Sequence, residues 1–182
     1  MSWWRRNRWG LLALLPALVL ALWSSVADGY PLYWNAKPRE PVTSPAGGWL
    51  AFAGARMRLV ELAPATGLAD FGGHPVALPA GARAWRARIA FDTAAPDAIA
   101  GCRLTLEDAA ARTFEAGPAE LQGARIPFAS CRPDRAADAP PVSGRQAFET
   151  VAHFVLPTSA LPAAVRVTVA TKLPRYARLI AG

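Results

Sequence analysis

The chain has 182 residues, 53% of them hydrophobic, and a formal net charge of +7 from 20 basic and 13 acidic side chains. This excess is spread along the chain without a long basic cluster, and nucleic-acid binding needs a concentrated patch or stripe, so that class of partner is excluded. The two cysteines, Cys102 and Cys131, lack the Cys-x-x-Cys spacing of a redox pair.

Residues 1–8 form a basic tail containing Arg5, Arg6 and Arg8 and no acid. Residues 9–27 then carry no charge. As a helix they measure about 28 Å at ~1.5 Å per residue, close to the ~30 Å hydrocarbon thickness of a bilayer. This pattern predicts a transmembrane anchor or uncleaved signal. The alternative is a signal peptide cut after Ser25, Val26 and Ala27, which offer small side chains at the positions that need them. Two features favour retention. The apolar run exceeds the usual ~7–15 residues of a signal peptide. Aromatic residues also flank it, Trp3, Trp4 and Trp9 before and Tyr30, Tyr33 and Trp34 after, and such rings favour membrane interfaces. By the positive-inside rule the arginine-rich tail stays in the cytoplasm and residues 28–182 lie outside it. That portion holds seventeen basic and thirteen acidic residues, a mild +4. Arginines outnumber lysines eighteen to two and Ala and Pro abound, as in a GC-rich bacterial genome.

Residues 28–48 show no helical or strand period and contain Pro31, Pro38, Pro41 and Pro45 with Gly29, Gly47 and Gly48, which predicts an extended spacer. Residues 49–182 are the right length for one domain with a single core. Strands are predicted at 49–52 and at 56–62, where Met57, Leu59 and Glu61 share one face and Arg58, Val60 and Leu62 the other. At 83–91, Trp85, Ala87, Ile89 and Phe91 alternate with Arg86, Arg88 and Ala90, the pattern of a half-buried strand. Further strands are predicted at 102–107 and 112–116, joined by a turn at 108–111. The region 117–141 reads as irregular, with a mobile stretch at 132–141. A long strand at 146–156 places Phe148, Thr150, Ala152, Phe154 and Leu156 on one face. A Val-rich strand follows at 165–171, and 176–180 completes the set as an edge. Seven to eight strands at this spacing predict an all-β antiparallel sandwich. In an oxidising compartment Cys102 and Cys131 are expected to pair as one structural disulfide.

Between residues 102 and 169 the order is a strand, a short turn, Arg112-Thr113-Phe114, a loop with Cys131, and then the run from Gly144 through Phe148 and Phe154 to Pro157. This order resembles the telokin-like, immunoglobulin-fold extracytoplasmic domains of bacterial cell-surface proteins. The resemblance implies an immunoglobulin-like sandwich outside the cytoplasm and carries no catalytic residue. Members are frequently lipoproteins. No cysteine follows the apolar segment here to accept lipid, a departure that fits a helical anchor.

The usual chemical signatures are missing. His74 and His153 are the only histidines, and with the two cysteines they match no common zinc spacing, so neither metal nor cofactor is expected. His153, on the strand face opposite Phe154, is expected to be partly exposed. No Gly-x-Ser-x-Gly elbow and no Gly-rich loop leading into a helix occurs. Glu107 and Asp108 point to different faces at a strand end and read as a solvated turn. Arg86 and Arg88, with Arg58, form a candidate basic patch for an anionic partner, the plainer alternative being a solvated sheet face. Together these features imply a non-enzymatic, membrane-anchored module that binds an envelope protein or anionic polymer. The competing readings are a subunit of an export or transport assembly and an envelope hydrolase with a site around His74 or His153.

Overall fold

The computed structural model describes residues 3–133 and 144–182, apart from the side chains at 4–6, 11, 24, 25 and 28. The chain forms two units, Met1–Lys37 and Pro38–Gly182. Most of the stretch predicted to be mobile, 132–141, lies outside the described residues.

The first unit is one helix, α1 (Trp3–Asn35), with Pro16 and Pro31 inside it. Leu12, Leu14, Leu15, Leu18, Val19, Leu20, Leu22 and Trp23 are all more than half exposed. At about 100° per residue these positions go right round the helix, so no polar face separates them. Among the described residues no helix is long and apolar enough to cross a membrane. The helix also continues past residue 27, where a spacer was expected. The last turns gain from Tyr30 stacked on Trp34 at 5.8 Å, and from Lys37, whose Nζ donates to the Tyr33 hydroxyl at 2.9 Å.

Among the described residues the second unit has nine strands: β1 (Glu40–Thr43), β2 (Leu50–Phe52), β3 (Ala55–Pro64), β4 (Ala82–Thr93), β5 (Arg103–Asp108), β6 (Thr113–Glu115), β7 (Gln146–Pro157), β8 (Pro162–Thr168) and β9 (Arg175–Ile180). They form a five-stranded sheet, β1-β9-β8-β5-β6, and a four-stranded sheet, β2-β3-β4-β7. Every pairing is antiparallel except β1 on β9. β1 falls within the expected spacer, and it makes β9 an interior strand instead of the expected edge. Only Val42 of β1 is partly buried, so this strand carries no alternation to read. Its position comes from β9: the Ser44 amide donates to the Arg178 carbonyl, and the Ile180 amide donates to Ser44 Oγ.

The predicted faces of β4 and β7 are realised. Ala87, Ile89 and Phe91 are fully buried and pair with Ala152, Thr150 and Phe148, respectively, while Arg86 and Arg88 face out. Phe91 and Phe148 stack at 5.2 Å. Met57 and Leu59 join them from β3, and Leu104, Leu106, Val165, Val167 and Leu179 come from the other sheet, so both sheets share one core. A two-residue turn at Ala53 and Gly54, both at positive φ, joins β2 to β3.

β3 departs from the predicted period. Leu59 pairs with Ile89, but the next paired residue is Glu61, opposite Arg88. Val60 is therefore a bulge, and the extra residue inverts the alternation beyond it. Glu61 moves to the outer face, and Leu62, opposite buried Ala87, turns toward the core. The hairpin of β5 and β6 forms as expected. Glu107 and Asp108, however, are both buried and held by arginines, not solvated. Cys102 and Cys131 form a disulfide with Cα atoms 5.9 Å apart, tying the irregular 117–133 segment to the start of β5.

Candidate functional site

The outer face of the four-stranded sheet is built from alternate positions of three strands. β4 contributes Arg86 and Arg88, β7 contributes Val151 and His153, and the bulge at Val60 brings in Glu61. In register, Arg86 lies opposite His153 and Arg88 lies between Glu61 and Val151.

Two loops complete a cleft over this face. The 65–78 loop folds back on itself through an Ala69–Pro75 bridge. It joins the 117–130 loop through an Asp70–Ala124 bridge and a 2.7 Å bond from the Arg125 amide to the Ala69 carbonyl. The second loop is fastened to β7 by the Gly117 amide, which donates to the His153 carbonyl at 2.9 Å. Between loops and sheet is a cleft of about 570 Å³, lined by Glu61, Arg86, Arg88, Val151 and His153 below and by Leu68, Arg125, Ile126 and Pro127 above. A second cleft of about 410 Å³, toward β5 and Phe128, shares His153 and the Ile126–Pro127 wall.

The charges are unevenly matched. Arg86 Nη2 donates to Glu61 Oε1 at 2.7 Å, and Arg88 Nη2 lies 3.5 Å from Glu61 Oε2. Arg88 also approaches Glu149 at 3.6 Å. The hydrogen bond from Arg86 holds the Glu61 carboxyl below its usual range. Arg125 is exposed and, among the described residues, has no ion pair. His153 differs from its expected, partly exposed setting: it is only 7% exposed, because the loops cover it. Burial, followed by the charge of Arg86, pushes its pKa down, so the ring is neutral near pH 7. Its Nδ1 is buried without a hydrogen-bond partner among the described residues, as is Arg88 Nε.

Arg86 and Arg88 of the sequence-derived patch therefore share one carboxylate and one cleft. Arg58 is on the same outer face, opposite Ala90, but its guanidinium lies over Trp49 at 4.9 Å and it does not line the cleft. Arg56 covers the same ring at 5.1 Å. Of the candidate membrane-interface residues, Trp3, Arg8 and Trp9 are exposed near the start of α1, with Arg8 over the Trp9 ring at 5.5 Å. Tyr33 and Trp34 are exposed at its end, and the side chains of Trp4, Arg5 and Arg6 lie outside the described residues. His74 is exposed in its loop, where its Nδ1 lies 3.3 Å from Asp70 Oδ2. Among the described residues no three His, Cys, Asp or Glu side chains gather as a metal site.

Sequence reading missed Glu61, because of the bulge, and Arg125, because loop residues carry no period. The sequence-level hints to the cleft were the pair of arginines two apart on β4 and His153, which the competing hydrolase reading named. No family model matches the chain, and no curated protein or solved structure shows significant similarity to it.

Proposed function

We propose that this protein is a membrane-anchored, non-enzymatic binding module of a bacterial cell envelope, with residues 1–8 in the cytoplasm, 9–27 as the anchor and an immunoglobulin-like β-sandwich outside. The observation that carries this reading is α1. Its described apolar side chains point outward all round the helix, an arrangement suited to a lipid or protein surround and poorly suited to water. The absence of charge from 9–27, the arginines before it and the aromatic residues at both ends support the same orientation. A disulfide in the β-rich unit suits an oxidising exterior. The resemblance of 102–169 to telokin-like domains supports the immunoglobulin-like arrangement. The partner is an envelope protein or an anionic polymer, met by the arginine-rich outer face of the four-stranded sheet.

The test is alkaline-carbonate extraction of bacterial membranes carrying the full chain, with its mass measured and alkaline phosphatase fused to its C-terminus. The expected result is an unextracted, full-length protein with active phosphatase. Loss of residues 1–27, or release of the intact chain by carbonate, overturns the anchor. Crosslinking in living cells then identifies what the exterior unit holds.

A further inference from the structure

We infer that the cleft between the outer face of the four-stranded sheet and the 65–78 and 117–130 loops binds a small organic anion, a carboxylate or phosphate group joined to an apolar body. The inference rests on the reading of the exterior unit as a binding module and adds a small-molecule ligand to its macromolecular partner. Three guanidinium groups line the cleft, those of Arg86, Arg88 and Arg125, against the single lining carboxylate of Glu61. Glu61 is shared between Arg86 and Arg88, Arg88 also lies 3.6 Å from Glu149, and Arg125 has no ion pair among the described residues, so one guanidinium, that of Arg125, is left for a ligand. Planar guanidinium forks suit carboxylate and phosphate oxygens. Leu68, Ile126, Pro127 and Val151 form apolar walls beside these donors, and at about 570 Å³ the space suits a small molecule.

The second observation is His153. It lines this cleft, is more than nine-tenths buried, and leaves Nδ1 without a hydrogen-bond partner among the described residues. Buried polar atoms are nearly always paired, so an orphan nitrogen beside a cationic cleft marks a place where a ligand oxygen or a ligand-held water completes the bonding. The arrangement holds one acid group among the arginines while the rest of the ligand meets the apolar walls.

The full-length ¹⁵N-labelled chain in non-ionic micelles is titrated with phenyl phosphate, benzoate, inorganic phosphate, benzyl alcohol and benzylamine. The imidazole resonances report the result. Only two histidines exist, so His74→Gln assigns His153 directly. Phenyl phosphate or benzoate is expected to give a saturable His153 shift that neither the neutral nor the cationic analogue reproduces. Arg125→Ala is expected to weaken binding about tenfold, the loss of one charge-assisted hydrogen bond. Arg175→Ala, on the other sheet and away from both clefts, is expected to leave binding unchanged. Because Arg125 is exposed, its variant tests the site without unfolding it, and the amide spectrum verifies the fold. The absence of a saturable shift, equal binding of benzyl alcohol, or indifference to Arg125→Ala overturns the site. Equal affinity for inorganic phosphate overturns the apolar body. A shift seen only in nanodiscs containing phosphatidylglycerol reassigns the anion to a lipid headgroup and overturns the small ligand. Carbonate extraction is read independently, so failure of the anchor and failure of the cleft give different results.

Discussion

Glu107→Gln removes the one carboxylate that reconciles two opposed arginines. On the outer face of the five-stranded sheet, Arg166 of β8 pairs directly with Arg178 of β9. Like charges in directly opposite positions destabilise a sheet. Glu107 of β5 accepts a hydrogen bond from the Nε of each, at 2.5 Å from Arg166 and 3.0 Å from Arg178, and its side chain is only 8% exposed. Removing one partner from a buried ion pair costs about 3–5 kcal/mol, because the remaining charge stays desolvated. Here Arg166 and Arg178 are 17% and 26% exposed and recover some hydration, so the cost falls to about 2–3 kcal/mol. That corresponds to a drop of about 1–2 M in urea midpoint, read by circular dichroism of the full chain in micelles. The triple variant Glu107→Leu, Arg166→Leu, Arg178→Leu is expected to regain at least half the loss, since no charge is then stranded. Burial alone would raise the Glu107 pKa, but hydrogen bonds from Arg178 and Arg166 outweigh it and hold the folded value below the ordinary range. Its contribution is therefore complete above the unfolded glutamate pKa of about 4.3 and disappears as pH falls from there through the lowered folded value. Wild type and Glu107→Gln should accordingly converge in acid. A loss below about 1 kcal/mol, or a triple variant as weak as the single one, would refute the reasoning.

Replacing Cys102 and Cys131 together by Ala reopens a loop with a sequence separation of 29. The loop-entropy relation puts the loss at up to about 3.6 kcal/mol, measurable by denaturant unfolding with and without reductant; reductant should not affect the variant. Deleting Val60 removes the extra residue, so β3 should run from Leu59 straight to Glu61 without a bulge; Glu61 is expected to stay on the outer face opposite Arg88 and to keep its contacts with Arg86 and Arg88 in an NMR or crystal structure, and a Glu61 turned inward would count against the bulge. Phe91→Ala, at the fully buried stack with Phe148, should cost about 3–5 kcal/mol in thermal or urea unfolding. Exchanging residues 9–27 for an unrelated apolar helix should leave crosslinked partners unchanged if the exterior unit does the binding; a changed set would assign the contact to the helix.

Some of this protein could be read directly from residue order. The helix at the start follows from a long uncharged run, and β4 and β7 follow from strict alternation, as in Trp85, Ala87, Ile89 and Phe91. These are local signals, because the side chain at each position faces in or out according to its own strand. The cysteine pair, too, followed from the count of two and the expected compartment. The rest depended on partners remote in the sequence. β1 is a strand because β9 offers it an edge, and Val60 bulges because β3 must keep register with β4. His153 is buried because a loop some thirty residues earlier is fastened over it through Gly117 and bridged to Asp70. Glu107 becomes a counter-ion only where β8 and β9 set two arginines side by side. Hydrophobic periodicity is a property of neighbours along the chain, so sequence alone determined the helix and the main strand faces. Register, bulges and ion pairing arise between segments brought together by folding, and only the tertiary structure decided where an arginine-lined cleft would lie.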